Sequence, residues 1–477
     1  MGQQIFLDPP DPQINERNIQ GDILIGLQKK AEIFLMFEIV DVSGFKAALE
    51  TLIPRIATLD VTRKYEEAAA KVSSAKHACC DVPPPPDLDT VVKTNIAFSA
   101  IGLAELGMLY DGADPSFIDG MENLSEMLGD DTTEWLPEYL DRQIDGVLLV
   151  AAWDADIDQA ETMALDAAGE VLGLFGASLT VIAQEVGSLN RVAPGHEMFG
   201  FADGVSQPGV KGLHKPIAAD DQGFPGQDLV ELGDFLLGPY ESELGTASTP
   251  PQPWMQDGSY MVFRRLQQDV KAFRDYTRAE FSGLAPSPEA FAAKLIGRWK
   301  DGSPLARDPM RPNPAHDGDH PLENNDFEFG VEKVAQTRCP FNAHIRRVYP
   351  RSDIQAGVGN AEQRRILRAG ISYDNSDVEF GDRGLLFVCY QSSIVDKFDF
   401  IQTSWANATS IPFVPPYTGI GVLPPNPGID LIIGQAPVRS ATWDGGGVLN
   451  NVPRFVTSSG GEYFFMPSLS GLRALAS

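Results

Sequence analysis

Residues 32–39 read EIFLMFEI, an apolar run of strand length that predicts a buried β-strand. Residues 43–53 and 156–172 carry apolar side chains at helical spacing and predict amphipathic helices. Three further strands are predicted from the apolar runs TNIAFS at 94–99, GVLLVAAW at 146–153 and ASLTVIAQ at 177–184. The resulting order of strand, helix, strand, strand, helix and strand is the split βαβ arrangement, which forms an antiparallel sheet with helices on one face.

The second half of the chain repeats this order of elements without repeating the sequence. Its elements are strands predicted at 258–264, 364–371 and 384–391, and helices predicted at 269–276, 287–299 and 394–405. We therefore predict an α+β protein of two such domains, residues 1–208 and residues 209–477. A cavity between their two sheets is the expected place for a ligand.

The composition excludes several classes of protein. The 477-residue chain has a formal net charge of -29, which argues against binding to nucleic acid or to an anionic membrane surface. No apolar run approaches the ~20 residues that are needed to span a bilayer. The first 16 residues are polar and contain no signal-peptide core, so the sequence assigns no compartment. The four cysteines include no C-x-x-C pair, so a structural zinc site is not expected.

The stretch Gly200–Pro208, GFADGVSQP, places one carboxylate, Asp203, between two glycines. Glycine permits a sharp turn or a close approach of the backbone to a ligand, because no Cβ atom blocks positive φ. The apolar residues around the turn suggest partial burial, which would aim Asp203 into a poorly solvated space. An ordinary Asp-Gly turn is the simpler interpretation of this stretch when it is considered alone.

A second stretch far along the chain, CPFNAHIRR at 339–347, singles out one of the six histidines. His344 follows an apolar segment and precedes Arg346 and Arg347, with Arg351 close behind. Imidazole can donate a lone pair to a metal, and guanidinium groups pair well with carboxylates. This combination suits haem, which has an iron centre and pendant carboxylates. A histidine satisfied by backbone hydrogen bonds remains the alternative.

The pair His316 and His320 has a spacing that would chelate a metal on a helix. Pro314, Gly318 and Pro321 interrupt any helix there, so a solvated loop is the favoured interpretation.

Stretches along nearly the whole chain resemble the dye-decolourising peroxidases, a haem peroxidase family, and most of all its fungal branch. In chain order they are NIQGDI at Asn18, TNIAFSAIGLAELG at Thr94, GFADG at Gly200, GSYMVFRRLQQDV at Gly258, CPFNAHIRR at Cys339, ILRAGISY at Ile366, GLLFVCYQSSI at Gly384, IDLIIGQ at Ile429 and GEYFFMPSLSGL at Gly461. The resemblance implies two ferredoxin-like domains, with haem bound in the C-terminal half between them. It also implies one haem b per chain as cofactor.

The resemblance gives roles to individual residues. It implies that His344 is the axial ligand of the haem iron and that Asp203 is the distal acid–base residue. Arg368 matches the distal arginine, and Asp430 matches the carboxylate that hydrogen-bonds the proximal imidazole. Arg346 is the residue expected to bind a haem propionate.

Other residues are candidates for the same site. Arg364 and Arg365 compete with Arg368, and Asp396 is the second choice for the partner of the imidazole. The apolar residues of the distal pocket are expected to be Leu385 and Phe387, although plain core positions are equally compatible with their alternation on one strand.

The implied activity is the reduction of hydrogen peroxide with one-electron oxidation of dyes, phenolics or similar bulky aromatic reductants. Tyr373 and Trp405 match surface positions at which such reductants would give up electrons to the buried haem. Ordinary, partly buried aromatics would look the same in the sequence. Asp374, Asp377 and Glu379 offer oxygen ligands for Mn²⁺, with a solvated loop as the simpler interpretation. Family members of this type are often secreted.

Two alternative functions stay open at this point. A haem carrier or sensor on the same fold would use His344 without turnover, but it would need no acid–base residue beside a fixed cation. A metal-dependent hydrolase using His316 and His320 would contain zinc and no haem.

Overall fold

The fold is described from a computed structural model of the chain. The structure describes residues 5–77, 91–218, 222–245, 250–319, 322–329, 336–353, 360–376, 381–409, 428–437, 439–442 and 448–477. The run of prolines at 83–86 and His320 lie outside these residues. None of the described helices is both long enough and apolar enough to cross a bilayer.

The described residues form both strands and α-helices along the length of the chain. The strands are β1 Ala31–Ile39, β2 Val92–Phe98, β3 Gly146–Ala152, β4 Leu179–Ser188, β5 Gly209–Val210, β6 Leu229–Val230, β7 Ser259–Gln268, β8 Leu367–Arg368, β9 Ile371–Asp374, β10 Arg383–Gln391, β11 Ala441–Thr442, β12 Val448–Leu449 and β13 Val456–Met466. The α-helices are α1 Val42–Leu52, α2 Leu59–His77, α3 Ala100–Glu105, α4 Pro115–Asp119, α5 Ser125–Leu128, α6 Ile157–Phe175, α7 Val270–Glu280, α8 Pro288–Ile296, α9 His344–Val348 and α10 Leu469–Ala476.

The main sheet confirms the α+β class and the ferredoxin-like order of each half. Its strand order is β4-β1-β3-β2-β13-β7-β10-β8, with β9 also paired to β10. Within each half the fourth strand lies beside the first, and the third strand lies between the first and the second. All of the long strands pair antiparallel, as the split βαβ order predicts.

The two halves share one sheet instead of forming two separate sheets. They join where Phe98 on β2 pairs with Phe465 on β13. At the far ends of the sheet, β4 packs closely against β9. This approach is possible because Gly187 on β4 has no side chain. A Cβ atom there would lie 2.3 Å from the Cγ2 atom of Ile371. The sheet is therefore barrel-like, and the described residues of the two halves form one main sheet and not two facing ones.

The cavity that carries the candidate site lies on the sheet of the second half. All of its lining residues are at position 197 or later, so none comes from a strand of the first half. The expectation that the ligand space lies in the C-terminal half is met, and its walls are strands β7, β8, β10 and β13 together with loops and helices that follow residue 196. The domain boundary after residue 208 stays a prediction, and the packing of Phe199 and Phe201 on Phe273 favours an earlier one.

Two predicted elements near the cavity differ in the structure. The strand predicted at 364–371 is divided into β8 and β9 at Gly370, where a Cβ atom would lie 2.6 Å from the carbonyl oxygen of Leu386. The helix predicted at 394–405 consists of two π-helical segments, Val395–Asp399 and Ile401–Ala406. Segments of this wider type are frequent at functional sites.

Acid should destabilise the fold through His214, which is fully buried and has an Nδ1 atom that accepts the N–H of Val210 at 2.8 Å. Burial lowers the pKa of His214 from 6.5 to about 3. Between these values only the unfolded chain binds the proton, so stability is lost as the pH falls. Each pH unit below 6.5 costs about 1.4 kcal/mol, so we expect a loss of about 2 kcal/mol at pH 5 from this group.

Urea unfolding of the wild type and His214→Gln at pH 7.5 and pH 5 measures this contribution. The stability advantage of the wild type over the variant should shrink by that amount at pH 5. A constant difference at both pH values would show that His214 does not titrate as described.

Candidate active site

The loop Gly200–Pro208, hereafter the 200–208 loop, brings Asp203 to the wall of the cavity. Gly200 and Gly204 have φ angles of +91° and +69°, a region that residues with side chains rarely adopt. The Oδ1 atom of Asp203 accepts the N–H of Gly204 at 2.6 Å, and 41% of the side chain is exposed. The glycines therefore set the turn, and the carboxylate faces the cavity.

A buried carboxylate that the sequence analysis missed holds the start of this loop. Glu197 lines the cavity and accepts the N–H groups of Phe199 and Phe201, each at 2.8 Å, together with a hydrogen bond from the side chain of Gln268. Burial raises the pKa of Glu197 to about 7, although these hydrogen bonds oppose the shift. The only feature of the sequence that could have pointed to Glu197 is its position three residues before Gly200, the first residue of the loop.

His344 begins the short helix α9 and lines the same cavity. Its Nδ1 atom lies 2.8 Å from Oδ2 of Asp430, which is fully buried, while Oδ1 of Asp430 accepts the N–H groups of Ile432 and Ile433. Burial alone would raise the pKa of Asp430, but its interaction with His344 and these amides lowers it. An ionised Asp430 fixes Nδ1 as the donor, and no described residue hydrogen-bonds Nε2. The free lone pair is therefore available for a metal.

Arg368 ends β8 and reaches the wall of the cavity that carries Asp203. The Nη1 atom of Arg368 lies 3.8 Å from Oδ1 of Asp203, and Nη2 donates to the carbonyl oxygen of Ser206 at 2.8 Å. The permanent charge of the guanidinium is thus held next to an aspartate that it does not directly hydrogen-bond.

Among the residues that the structure describes, six arginines and two carboxylates line the cavity, and three of these arginines pair with carboxylates outside the lining. Arg298 donates to the carbonyl oxygens of Gly302 and Asn324, and Arg351 donates to those of Gly226 and Phe327. Neither has a carboxylate at ion-pair distance among the described residues.

Burial, together with the guanidinium groups of Arg351 and Arg368, lowers the pKa of Arg298 to about 9. A bound anion would offset this unfavourable charge. An imidazole with an open nitrogen, apolar walls and uncompensated guanidiniums together fit haem and its carboxylates.

Two of the predicted pocket residues line the cavity, and the predicted propionate ligand does not. Leu385 and Phe387 face the cavity from alternate positions of β10. Arg346 is fully buried on the other side of α9, where it donates to the carbonyl oxygen of Cys339 and lies over the ring of Phe341. The expectation for Arg346 is wrong, because the short helix turns its side chain away from the cavity.

The predicted surface positions of Tyr373 and Trp405 are also wrong. Tyr373 is 0% exposed and Trp405 is 1% exposed. The phenol of Tyr373 donates to Asp382 at 3.1 Å, and the guanidinium of Arg265 lies 4.4 Å from the centre of its ring. Strand β4 packs against β9, which carries Tyr373, and the neighbouring ring of Phe400 packs edge-on against Trp405.

The remaining candidates are paired with other groups, although Arg364 and Arg365 also line the cavity. Arg364 pairs with Asp396 at 3.2 Å, which leaves Asp430 as the partner of the imidazole. Arg365 lies over the ring of Tyr349. The Nδ1 atom of His316 lies 2.6 Å from Asp308, and no group of three potential metal-ligating side chains occurs among the residues that the structure describes.

Two protein-family models match the chain. The model described as the DyP dimeric alpha+beta barrel domain matches residues 18–190, and the model described as Dyp-type peroxidase, C-terminal, matches residues 243–412. Together they cover the first half of the sheet and most of the cavity.

Curated relatives and solved structures match over most of the length of the chain. A dye-decolorizing peroxidase of Mycena epipterygia is 34% identical over 98% of this chain and 88% of its own. A multifunctional dye peroxidase of Amycolatopsis is 34% identical over 80% of this chain and 81% of its own.

A solved dye-decolorizing peroxidase in complex with 2,6-dimethoxyphenol has a TM-score of 0.80 at 34% identity, covering 97% of this chain and 100% of that one. A variant of the enzyme from Pleurotus ostreatus has a TM-score of 0.84 at 32% identity, covering 98% of this chain and 100% of that one. With both family models matched and relatives aligned over 80% or more of the chain, the chain belongs to the dye-decolourising peroxidases, a family of haem-dependent peroxidases.

Proposed function

We propose that this haem peroxidase binds its cofactor through His344, reduces hydrogen peroxide with Asp203 and Arg368, and oxidises phenolic and dye reductants. The observation that carries the proposal is that these three side chains line one cavity, although they are far apart in the sequence. A haem carrier would gain nothing from an aspartate held 3.8 Å from an arginine that faces the ligand space.

His344 would hold the iron through Nε2, because Nδ1 is engaged by Asp430. A carboxylate partner on the other ring nitrogen orients the imidazole and makes it a stronger donor to the metal. The haem carboxylates would lie near Arg298 and Arg351, whose charges no described carboxylate compensates at ion-pair distance.

When bound, haem would supply a redox-active iron that takes up the oxidising equivalents of peroxide and then accepts single electrons from the reductant. Asp203 takes the proton from one oxygen of hydrogen peroxide on a carboxylate oxygen and returns it to the other oxygen, which leaves as water. Arg368 stabilises the negative charge that develops on the departing oxygen, because its guanidinium remains protonated throughout.

Electrons from bulky reductants need a route into the cavity, and we assign Tyr373 to it. Tyr373 pairs with Gly384, the residue before Leu385, so its side chain lies on the face of the sheet opposite to the one from which Leu385 lines the cavity. An electron would therefore pass between Tyr373 and the cavity through the thickness of one strand. Oxidation of a tyrosine releases its phenolic proton, and Asp382 is placed to receive it at 3.1 Å. Trp405 is the second candidate, since Ile401 and Gln402 of the same π-helical segment line the cavity.

For reductants, we propose phenols of the 2,6-dimethoxyphenol type and aromatic dyes. That phenol is the ligand in one of the similar solved structures. A role for Mn²⁺ rests on Asp374 alone among the described residues, so we do not assign one.

Reconstitution with haemin tests the proposal. One equivalent of hydrogen peroxide should change the Soret band, and 2,6-dimethoxyphenol should restore the resting spectrum as it is oxidised. A protein that binds haemin with an unchanged band after peroxide would be a carrier.

Asp430→Asn should retain haem but weaken electron donation from the imidazole to the iron. An asparagine can still accept the two backbone N–H groups, but its oxygen then no longer receives the N–H of His344. We expect a higher ferric–ferrous reduction potential and a loss of activity on the order of 10- to 100-fold, as is usual for such partners of a ligand. Spectroelectrochemistry measures the potential, and a value equal to that of the wild type would remove Asp430 from this role.

A further inference from the structure

The side-chain amide of Gln207 pairs with the backbone of Arg368 as a strand would. Its Oε1 atom accepts the Arg368 N–H at 3.3 Å, and its Nε2 atom donates to the Arg368 carbonyl oxygen. Together with the bond from the Arg368 guanidinium to Ser206, three hydrogen bonds join the 200–208 loop to a residue 161 positions away from Gln207.

This pairing covers an open edge of the sheet. Strand β8 has only two residues and is the last in the sheet order, with β10 on one side. On its other side, the N–H and carbonyl groups of Arg368 point outward, as in any edge strand. Gln207 satisfies both groups, so a side chain takes the place of the next strand.

Gln207 does not line the cavity, whereas its neighbours Ser206 and Pro208 do. It therefore cannot touch peroxide and can act only through Arg368. Asp203 belongs to the 200–208 loop and Arg368 to the sheet. The distance between their side chains therefore depends on the hydrogen bonds that join the loop to β8.

We propose that Gln207 is a positioning residue that fixes Arg368 relative to Asp203 by pairing with the Arg368 backbone. The inference rests on the proposed function of these two side chains. Without the pairing, the N–H and carbonyl groups of Arg368 would hydrogen-bond to water. The bond from its guanidinium to Ser206 would then be its only hydrogen bond to the 200–208 loop. A reacting group displaced by about 1 Å can cost on the order of 100-fold in rate.

Gln207→Met tests the inference, because methionine preserves the length of the side chain and removes both hydrogen bonds. The matched control is Gln20→Met. Gln20 makes the same pairing with the backbone of Ile96, with both bonds at 2.9 Å, and is fully buried away from the cavity.

We expect Gln207→Met to lower the rate constant for the reaction of the holoprotein with peroxide by about 10- to 100-fold. It should also weaken fluoride binding to the ferric holoprotein by about tenfold, which corresponds to one lost hydrogen bond from a charged donor. Gln20→Met should lower the melting temperature and leave both quantities within twofold of the wild type.

Equal peroxide rates and fluoride affinities for the wild type and Gln207→Met would overturn the inference, as would equal losses in both variants. If Gln207→Met yields no folded holoprotein, Gln207→Glu takes its place, since it retains the acceptor for the Arg368 N–H and loses only the donor. Wild-type fluoride affinity in that variant would likewise overturn the inference. A wild type that binds no haem or ignores peroxide would instead refute the proposed function itself.

Discussion

Replacing Asp203 with asparagine lowers the rate constant for the reaction of the holoprotein with hydrogen peroxide by about 10²–10⁴-fold, the usual contribution of a positioned acid–base group. Asparagine has nearly the same shape and can still accept the N–H of Gly204, so the loop should keep its turn. It cannot take up the peroxide proton. Haem content should therefore remain at the wild-type level, and stopped-flow absorbance at several peroxide concentrations gives the rate constant.

The control for this variant is Asp131→Asn, another exposed aspartate that accepts a backbone N–H in a turn, here from Thr133 at 3.0 Å. It lies outside the cavity and should react with peroxide at the wild-type rate. If Asp203→Asn reacts as fast as the control, proton transfer is carried out by another group. Glu197 would then be the first to examine, because it is the other carboxylate that lines the cavity.

Replacing His344 with asparagine abolishes stable haem binding. An asparagine places its amide nitrogen near the position of Nδ1, so the buried carboxylate of Asp430 keeps a donor and the fold is preserved. The atom that would bind iron is removed. After reconstitution with haemin and gel filtration, the variant should lose the Soret band of the wild type and most of its haem.

His316→Asn is the matched control, because His316 also has a carboxylate at its Nδ1 atom, that of Asp308, and lies outside the cavity. It should bind haem as the wild type does. Haem bound by His344→Asn with an unchanged spectrum would mean that a different side chain holds the iron. The arrangement of Asp203 and Arg368 would then need another explanation.

The residues named from their motifs differ in how well the sequence could place them. Asp203, His344, Arg368 and Asp430 each belong to a short motif that gives a residue type and an order along the chain, and the structure brings all four to one site. Arg346 belongs to the same motif as His344, yet it points the other way, because successive residues of a helix face different directions. A motif shows only which residues are neighbours in the sequence. Two residues that are two positions apart on a helix, such as His344 and Arg346, lie on different faces of it.

The sequence by itself determined the strand and helix order, the α+β class and the two motifs that flank the cavity. The element order and the class follow from local periodicity and backbone preference, which act over a few residues, and the roles of the two motifs follow from the resemblance to the peroxidase family. Only the tertiary structure decided that both halves share one sheet, that Tyr373 and Trp405 are buried, and that Gln207 pairs with Arg368. Each of these depends on contacts between segments far apart in the chain, and burial and pairing at such distances are set by the packing of the whole molecule and not by any single stretch.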